Sequence, residues 1–100
     1  MSSPPERVFR LYQWNNCSYC YRVRSAAERL GIALELIDTT RNVEAERRLI
    51  TKLGRATVPV LSFDCAGEEQ LLPESADIIR FLERYVGAGF PADPCSLPRR

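Results

Sequence analysis

Two thiols stand three residues apart in Cys17-Ser18-Tyr19-Cys20. An apolar run precedes them (Val8-Phe9-Arg10-Leu11-Tyr12), and Val23, Ala27 and Leu30 follow at helical spacing. The pair therefore falls at a strand-to-helix junction, with Cys17 at the helix start and Cys20 one turn inside, facing the core. Helix N-termini and nearby cations bring cysteine pKa values from about 8.5 to roughly 3.5–7.5, and thiolate is the form that attacks disulfides. The dipole alone accounts for about one unit. Larger shifts need direct donors, here the N–H groups of Tyr19 and Cys20, with Arg22 or Arg24 adding to the field. Cys17 is thus the expected nucleophile and Cys20 its partner.

The chain has no histidine, which removes Cys–His and Ser–His pairs and histidine metal sites. As half of a zinc site the cysteine pair needs two more ligands. Cys65 and Cys95 do not have the spacing of a zinc module, so no metal ligands are expected. Cys65 reads as a turn spectator and Cys95 as a spare thiol in a tail.

The 100 residues suggest one domain. Fourteen basic residues nearly balance thirteen acidic ones, without a basic block, so nucleic acid is not an implied partner. No apolar run reaches transmembrane length, and Met1 to Arg7 lacks the apolar segment of a secretory signal. A cytoplasmic, reducing setting and a monomer are expected. In that setting such a thiol pair reads as redox or metal chemistry rather than a structural staple.

The elements that must position these thiols follow from pattern. Residues 1–6 read as a flexible start and 7–86 as the domain. Within it, residues 7–12 form a first strand, 18–30 a helix ended by Gly31, and 34–38 a second strand, parallel to the first. Asn42 caps a second helix over 43–53, ended by Gly54. Val58 to Phe63 is a third strand, Asp64-Cys65-Ala66-Gly67 a turn, and Gln70 to Leu72 a short antiparallel return. A third helix runs over 75–86, and 87–100 reads as a flexible tail. The order β-α-β-α-β-β-α gives an α/β three-layer sandwich around a four-stranded mixed sheet.

Three stretches in this order, Cys17-Ser18-Tyr19-Cys20, Thr57-Val58-Pro59 and Pro73-Glu74-Ser75-Ala76-Asp77, make the chain resemble a glutaredoxin of the thioredoxin-fold superfamily over residues 7–86. It departs from that pattern at Ser18, where proline is usual, at Gln13-Trp14-Asn15-Asn16, which lacks a lysine, and before the last helix, where a Gly-Gly pair is absent. Glu74-Ser75 instead resembles the acidic-Ser pair of the glutathione-binding domain of glutathione transferases. The resemblance implies a cis bond before Pro59, so that Val58 pairs its backbone with the cysteinyl part of glutathione. It also implies that Thr57, Pro59 and Tyr19 border the groove. Ser75 and Ala76 would receive the γ-glutamyl carboxylate at the helix start, and Glu74 or Asp77 its amino group. Arg41, Arg48 and Arg55 are the candidates for the glycyl carboxylate.

The implied activity is glutathione-dependent thiol–disulfide exchange through Cys17 on glutathionylated or disulfide-bonded proteins and small disulfides. The alternative is a [2Fe–2S] carrier, with a cluster held between two copies by Cys17 and external glutathione. A transferase-like glutathione-binding module ranks third, since a transferase normally carries a helical second domain for its acceptor.

Overall fold

The computed structural model describes residues 8–97; the expected flexible start at 1–6 and the last three residues of the chain lie outside them. Four strands and three helices follow the expected order: β1 (Phe9–Gln13), α1 (Ser18–Leu30), β2 (Leu34–Asp38), α2 (Val43–Leu53), β3 (Val60–Cys65), β4 (Glu68–Pro73) and α3 (Ser75–Gly87). The sheet order is β2-β1-β3-β4. β1 runs parallel to β2 and antiparallel to β3, and β3 pairs antiparallel with β4. This is the mixed sheet of a thioredoxin-like fold.

Alternation along β1 builds the layers. Phe9 and Leu11 face one side, where they join Val23 and Ala27 of α1 and Ile78, Phe81, Leu82 and Tyr85 of α3. Phe63 stacks on Phe81 at 5.2 Å between ring centroids, and Phe9 meets both edge-on. Tyr12 faces the other side, where a smaller cluster of Tyr12, Ala45, Leu49 and Val60 seats α2. Polar groups complete that side. The Glu69 carboxylate accepts hydrogen bonds from the hydroxyls of Tyr12 (2.6 Å) and Ser62 (2.5 Å), with the Lys52 ammonium of α2 at 3.8 Å. Although burial opposes ionisation, these hydroxyls and nearby Arg48 and Lys52 hold Glu69 below the usual carboxylate range. Burial, and then the bond to Glu69, push Tyr12 up to about 12.

Local chemistry sets the helix ends. The Asn42 side chain accepts the Ala45 N–H at 3.0 Å. Gly31 and Gly54 end α1 and α2 at φ 76° and 82°, where a side chain would be strained. The hairpin differs from expectation. Ala66 and Gly67, both at positive φ (52° and 82°), form a two-residue turn of the type that matches strand twist. The pairing therefore extends from Val60–Pro73 to Cys65–Glu68, two residues beyond Phe63. β3 begins at Val60 because Pro59 has no N–H to donate to a ladder.

The expectations for Cys65 and Cys95 need correction. The two sulfurs are bonded at 2.01 Å and close a loop with a sequence separation of 30. The expected flexible tail is, over its described part, tied to the body: Pro94–Ser96 form a 3-10 turn, Pro94 is buried, and Cys95 and Leu97 pack on the main core. Nothing in the spacing of Cys65 and Cys95 announced the pairing, because the returning chain after Gly87 carries no regular pattern.

Candidate active site around Cys17

β1 ends at Gln13, and the chain turns through Trp14, Asn15 and Asn16 to reach Cys17. This corner is braced. The Trp14 indole N–H donates to Thr39 Oγ1 at 2.6 Å, and the Arg24 guanidinium donates to Gln13 Oε1. Cys17 is the N-cap of α1: its sulfur accepts the Cys20 N–H at 3.2 Å, and its carbonyl accepts the Tyr21 N–H at 2.9 Å. The first turn of α1 carries no acidic residue, so nothing there offsets the positive end of the dipole.

The two thiols are unlike. Both are free, but Cys17 is partly exposed and Cys20 fully buried. Burial first, and then its hydrogen bond with Cys17, push the Cys20 thiol up to about 12. Cys20 is therefore a thiol at neutral pH, and Cys17 is the sulfur a second molecule can reach.

A cavity of about 370 Å³ opens beside this junction, lined by Tyr19, Thr57, Val58, Pro59, Glu74 and Ser75. The Val58–Pro59 peptide bond is cis, as the resemblance implies. Glu74 precedes α3 at φ 74°, ψ 115°, an unusual conformation for a residue with a side chain. No side chain caps α3, so its first N–H groups are placed for an outside acceptor. Arg55 stands at the rim, 3.7 Å from the Glu74 carboxylate. Six of the seven residues expected to bind a ligand are thus gathered around one cavity. The seventh, Asp77, does not line it and instead lies 3.8 Å from Arg80.

A second hollow of about 320 Å³ lies between the corner before Cys17 and the start of α2, lined by Trp14, Asn15, Asn16, Asp38, Thr40 and Arg41. Of the three arginines left open by the sequence, Arg41 lines this hollow, Arg55 pairs at the rim, and Arg48 acts on Tyr12 and Glu69. Gln13, which braces Arg24, was not singled out from sequence. A glutamine ending a strand carries no signal until its partner is placed.

No group of three or more metal-ligating side chains exists among the described residues. The iron–sulfur alternative, which draws on Cys17 of two copies and external glutathione, therefore gains no support from the described residues. Among the described residues no helix is long and apolar enough to cross a membrane.

A thiol at a helix start, a cis-proline loop and an uncapped acidic-Ser helix start are gathered at one end of a thioredoxin-like fold. Residues 11–88 match the family model described as glutathione S-transferase, N-terminal domain, and the chain belongs to that family. Of the two resemblances, to glutaredoxin through the three stretches and to the glutathione transferases through Glu74-Ser75, the family match shows the second.

Solved structures agree. Maleylacetoacetate isomerase from Anaeromyxobacter dehalogenans 2CP-1, with dicarboxyethyl glutathione and citrate in its active site, aligns at a TM-score of 0.60 and 27% identity over 82% of this chain. The same enzyme with bound GSH aligns at 0.58 and 28% identity. The chain spans 38% and 39% of the length of those two structures. Among curated proteins no match is found.

Proposed function

We propose that this domain binds glutathione in the cavity between Tyr19, Val58 and Ser75 and uses Cys17 for glutathione-dependent thiol–disulfide exchange. The observation that carries this reading is the unlike thiol pair, with Cys17 reachable at a helix start and Cys20 buried beneath it. The glutathione bound by the maleylacetoacetate isomerase neighbours supports the ligand.

In the proposed reaction, Cys17 sulfur attacks the glutathione sulfur of a mixed disulfide R–S–S–G. A Cys17–glutathione bond forms, the substrate S–S bond breaks, and the leaving thiolate takes a proton from solvent. A second glutathione thiolate attacks the adduct and leaves as glutathione disulfide. Alternatively Cys20 gives up its proton, closes the Cys17–Cys20 bond and releases glutathione. Substrates are glutathionylated or disulfide-bonded proteins and small disulfides. Val58 pairs with the cysteinyl backbone, and the start of α3 receives the γ-glutamyl carboxylate. Arg41 takes the glycyl carboxylate, because it is the candidate arginine lining the hollow on the far side of the Cys17 corner. A cytoplasmic setting supplies the reduced glutathione, and the Cys65–Cys95 bond must then withstand that pool.

The test is turnover of a glutathionylated peptide. Cys17→Ser abolishes it and Cys20→Ser spares it; the reverse pattern refutes the assignment. The second reading, a transferase- or isomerase-type reaction on glutathione, is favoured by the family match. It requires no covalent bond to Cys17, so a glutathione adduct on Cys17 that forms and decays at the turnover rate excludes it.

A further inference from the structure

We propose that Arg24, held by Gln13, supplies the positive charge that lets buried Cys20 act as a thiolate when it closes the bond to Cys17. This rests on the exchange chemistry above, in which Cys20 is the second attacker. The difficulty of that attack is physical. Cys20 is fully buried, and an uncompensated negative charge there is unfavourable. Its thiol must lose a proton before it attacks, so a nearby group has to offset the charge that forms. The chain has no histidine to do this.

The geometry supplies Arg24. It follows Cys20 by one helical turn on α1, so the two side chains leave one side of the helix. Its guanidinium donates to Oε1 of Gln13, the last residue of β1. Gln13 is 3% exposed, and a buried amide needs partners. Its Nε2 donates to Asn15 Oδ1 at 3.3 Å, which leaves Oε1 turned towards Arg24. The residue after Gln13 is Trp14, whose backbone N–H is bonded to the Cys20 sulfur and favours its anion. The bond to Gln13 therefore brings the guanidinium to the strand end that borders Cys20.

The surrounding charges single it out. Cys17 opposes the ionisation of Cys20, and Arg24 favours it. Arg22 instead lies over the Tyr19 ring at 5.5 Å. α3, packed on α1, brings Ile78, Phe81, Leu82 and the phenol of Tyr85 to the shared core, and its Asp77 lies 3.8 Å from Arg80. Among the described residues no carboxylate pairs with Arg24, and its contacts with the Gln13 amide and the Tyr21 ring are to neutral groups. Once Cys17 is in a mixed disulfide its sulfur carries no charge, so its opposition ends while the pull of Arg24 remains. The step then balances. The Cys20 proton goes to solvent, and Cys20 sulfur attacks Cys17 sulfur. The Cys17–Cys20 bond forms, and the bond from Cys17 to the departing sulfur breaks. The two cysteines are oxidised, and the departing thiolate, now reduced, takes a proton.

The test treats the full chain with dithiodipyridine, an aryl disulfide, and follows the absorbance of the released thione over a range of pH. One equivalent leaves as Cys17 attacks and a second as Cys20 closes the bond, since Cys65 and Cys95 are already paired. Arg24→Gln should slow the second phase about three- to thirtyfold relative to the first and displace its pH profile towards alkali. An opposite charge at close range is worth about 1–3 pKa units. Each unit lowers the thiolate about tenfold, and the greater nucleophilicity of a more basic sulfur returns about threefold. Arg24→Lys, which keeps the charge, should stay within about twofold of the parent. Gln13→Met, which frees the guanidinium, should also slow the second phase, and adding it to Arg24→Gln should slow it no further. The two Arg24 variants decide the matter should Gln13→Met fail to fold. A parent that releases a single equivalent overturns the proposal. So does an Arg24→Gln variant in which both phases slow alike or neither slows, an Arg24→Lys variant as slow as Arg24→Gln, or a folded Gln13→Met variant that closes as fast as the parent. The reagent carries no glutathione, so a chain that fails to bind glutathione can still pass this test. A chain that fails it can still turn over a glutathionylated peptide through Cys17 alone.

Discussion

Replacing Cys17 by serine leaves one free thiol, because Cys65 and Cys95 are bonded to each other. That thiol, Cys20, is fully buried and raised to about 12. At pH 7 a group with that pKa is thiolate in about 1 molecule in 10⁵, against about 1% for an unperturbed thiol at 9.0, a ratio of about 1,000. The substitution also removes the Cys17 thiol, a secondary cause of the shift. Burial, the leading cause, remains, so the expected slowing is at least about a hundredfold. The assay is alkylation of Cys17→Ser by iodoacetamide at pH 7 without reductant, followed by mass spectrometry, with the same protein in denaturant as reference. A native rate within about tenfold of the denatured one would show that Cys20 is neither shielded nor held protonated. The division of labour between the two sulfurs would then have no physical basis.

Two further outcomes follow from groups away from the site. Tyr12 rises from 10.0 to about 12 in the fold, so it contributes stability below pH 10 that disappears as the pH climbs from 10 towards 12. Two units correspond to about 2–3 kcal/mol. Cys20, raised from 9.0, adds to the same loss. Glu69 is held low, so its contribution is present above the unfolded value of 4.5 and vanishes as the pH falls through the folded one. Urea denaturation across pH should show both limbs, with Tyr12→Phe shrinking the alkaline one; an unchanged alkaline limb in Tyr12→Phe contradicts the effect of burial and of the Glu69 bond on Tyr12. The double variant Cys65→Ala with Cys95→Ala opens a loop with a separation of 30, which the chain-entropy account values at about 3.5–4 kcal/mol. Denaturation of parent and variant measures the difference, and a loss below about 1 kcal/mol rejects that account.

The sequence was most legible where local rules and tertiary structure agree. α1, β2 and α2 fall where apolar spacing, Asn42, Gly31 and Gly54 put them, because capping and periodicity are local properties. The site was legible for a similar reason: Cys17 and Cys20 share one helix turn, Thr57 to Pro59 are contiguous, and Glu74-Ser75 open one helix. Asp77 does not line the cavity because a helix turns 100° per residue, and a position two residues past Ser75 need not face it. The ends of β3 and β4 depended on a two-residue turn whose length a Cys-Ala-Gly run does not disclose. The Cys65–Cys95 bond and the Tyr12–Glu69 hydrogen bond join residues far apart in sequence, and no local pattern encodes such partners.

The two faces of the sheet are unequal. α1 and α3 share a broad aromatic and aliphatic core, whereas α2 rests on Ala45, Leu49 and Leu53 together with the Lys52 contact to Glu69. An element anchored through so little side-chain area detaches at a lower free energy than the whole domain unfolds. Amide hydrogens along α2 should therefore exchange with solvent through excursions of that helix alone, while the strands beneath and the bend that presents Cys17 keep their shape.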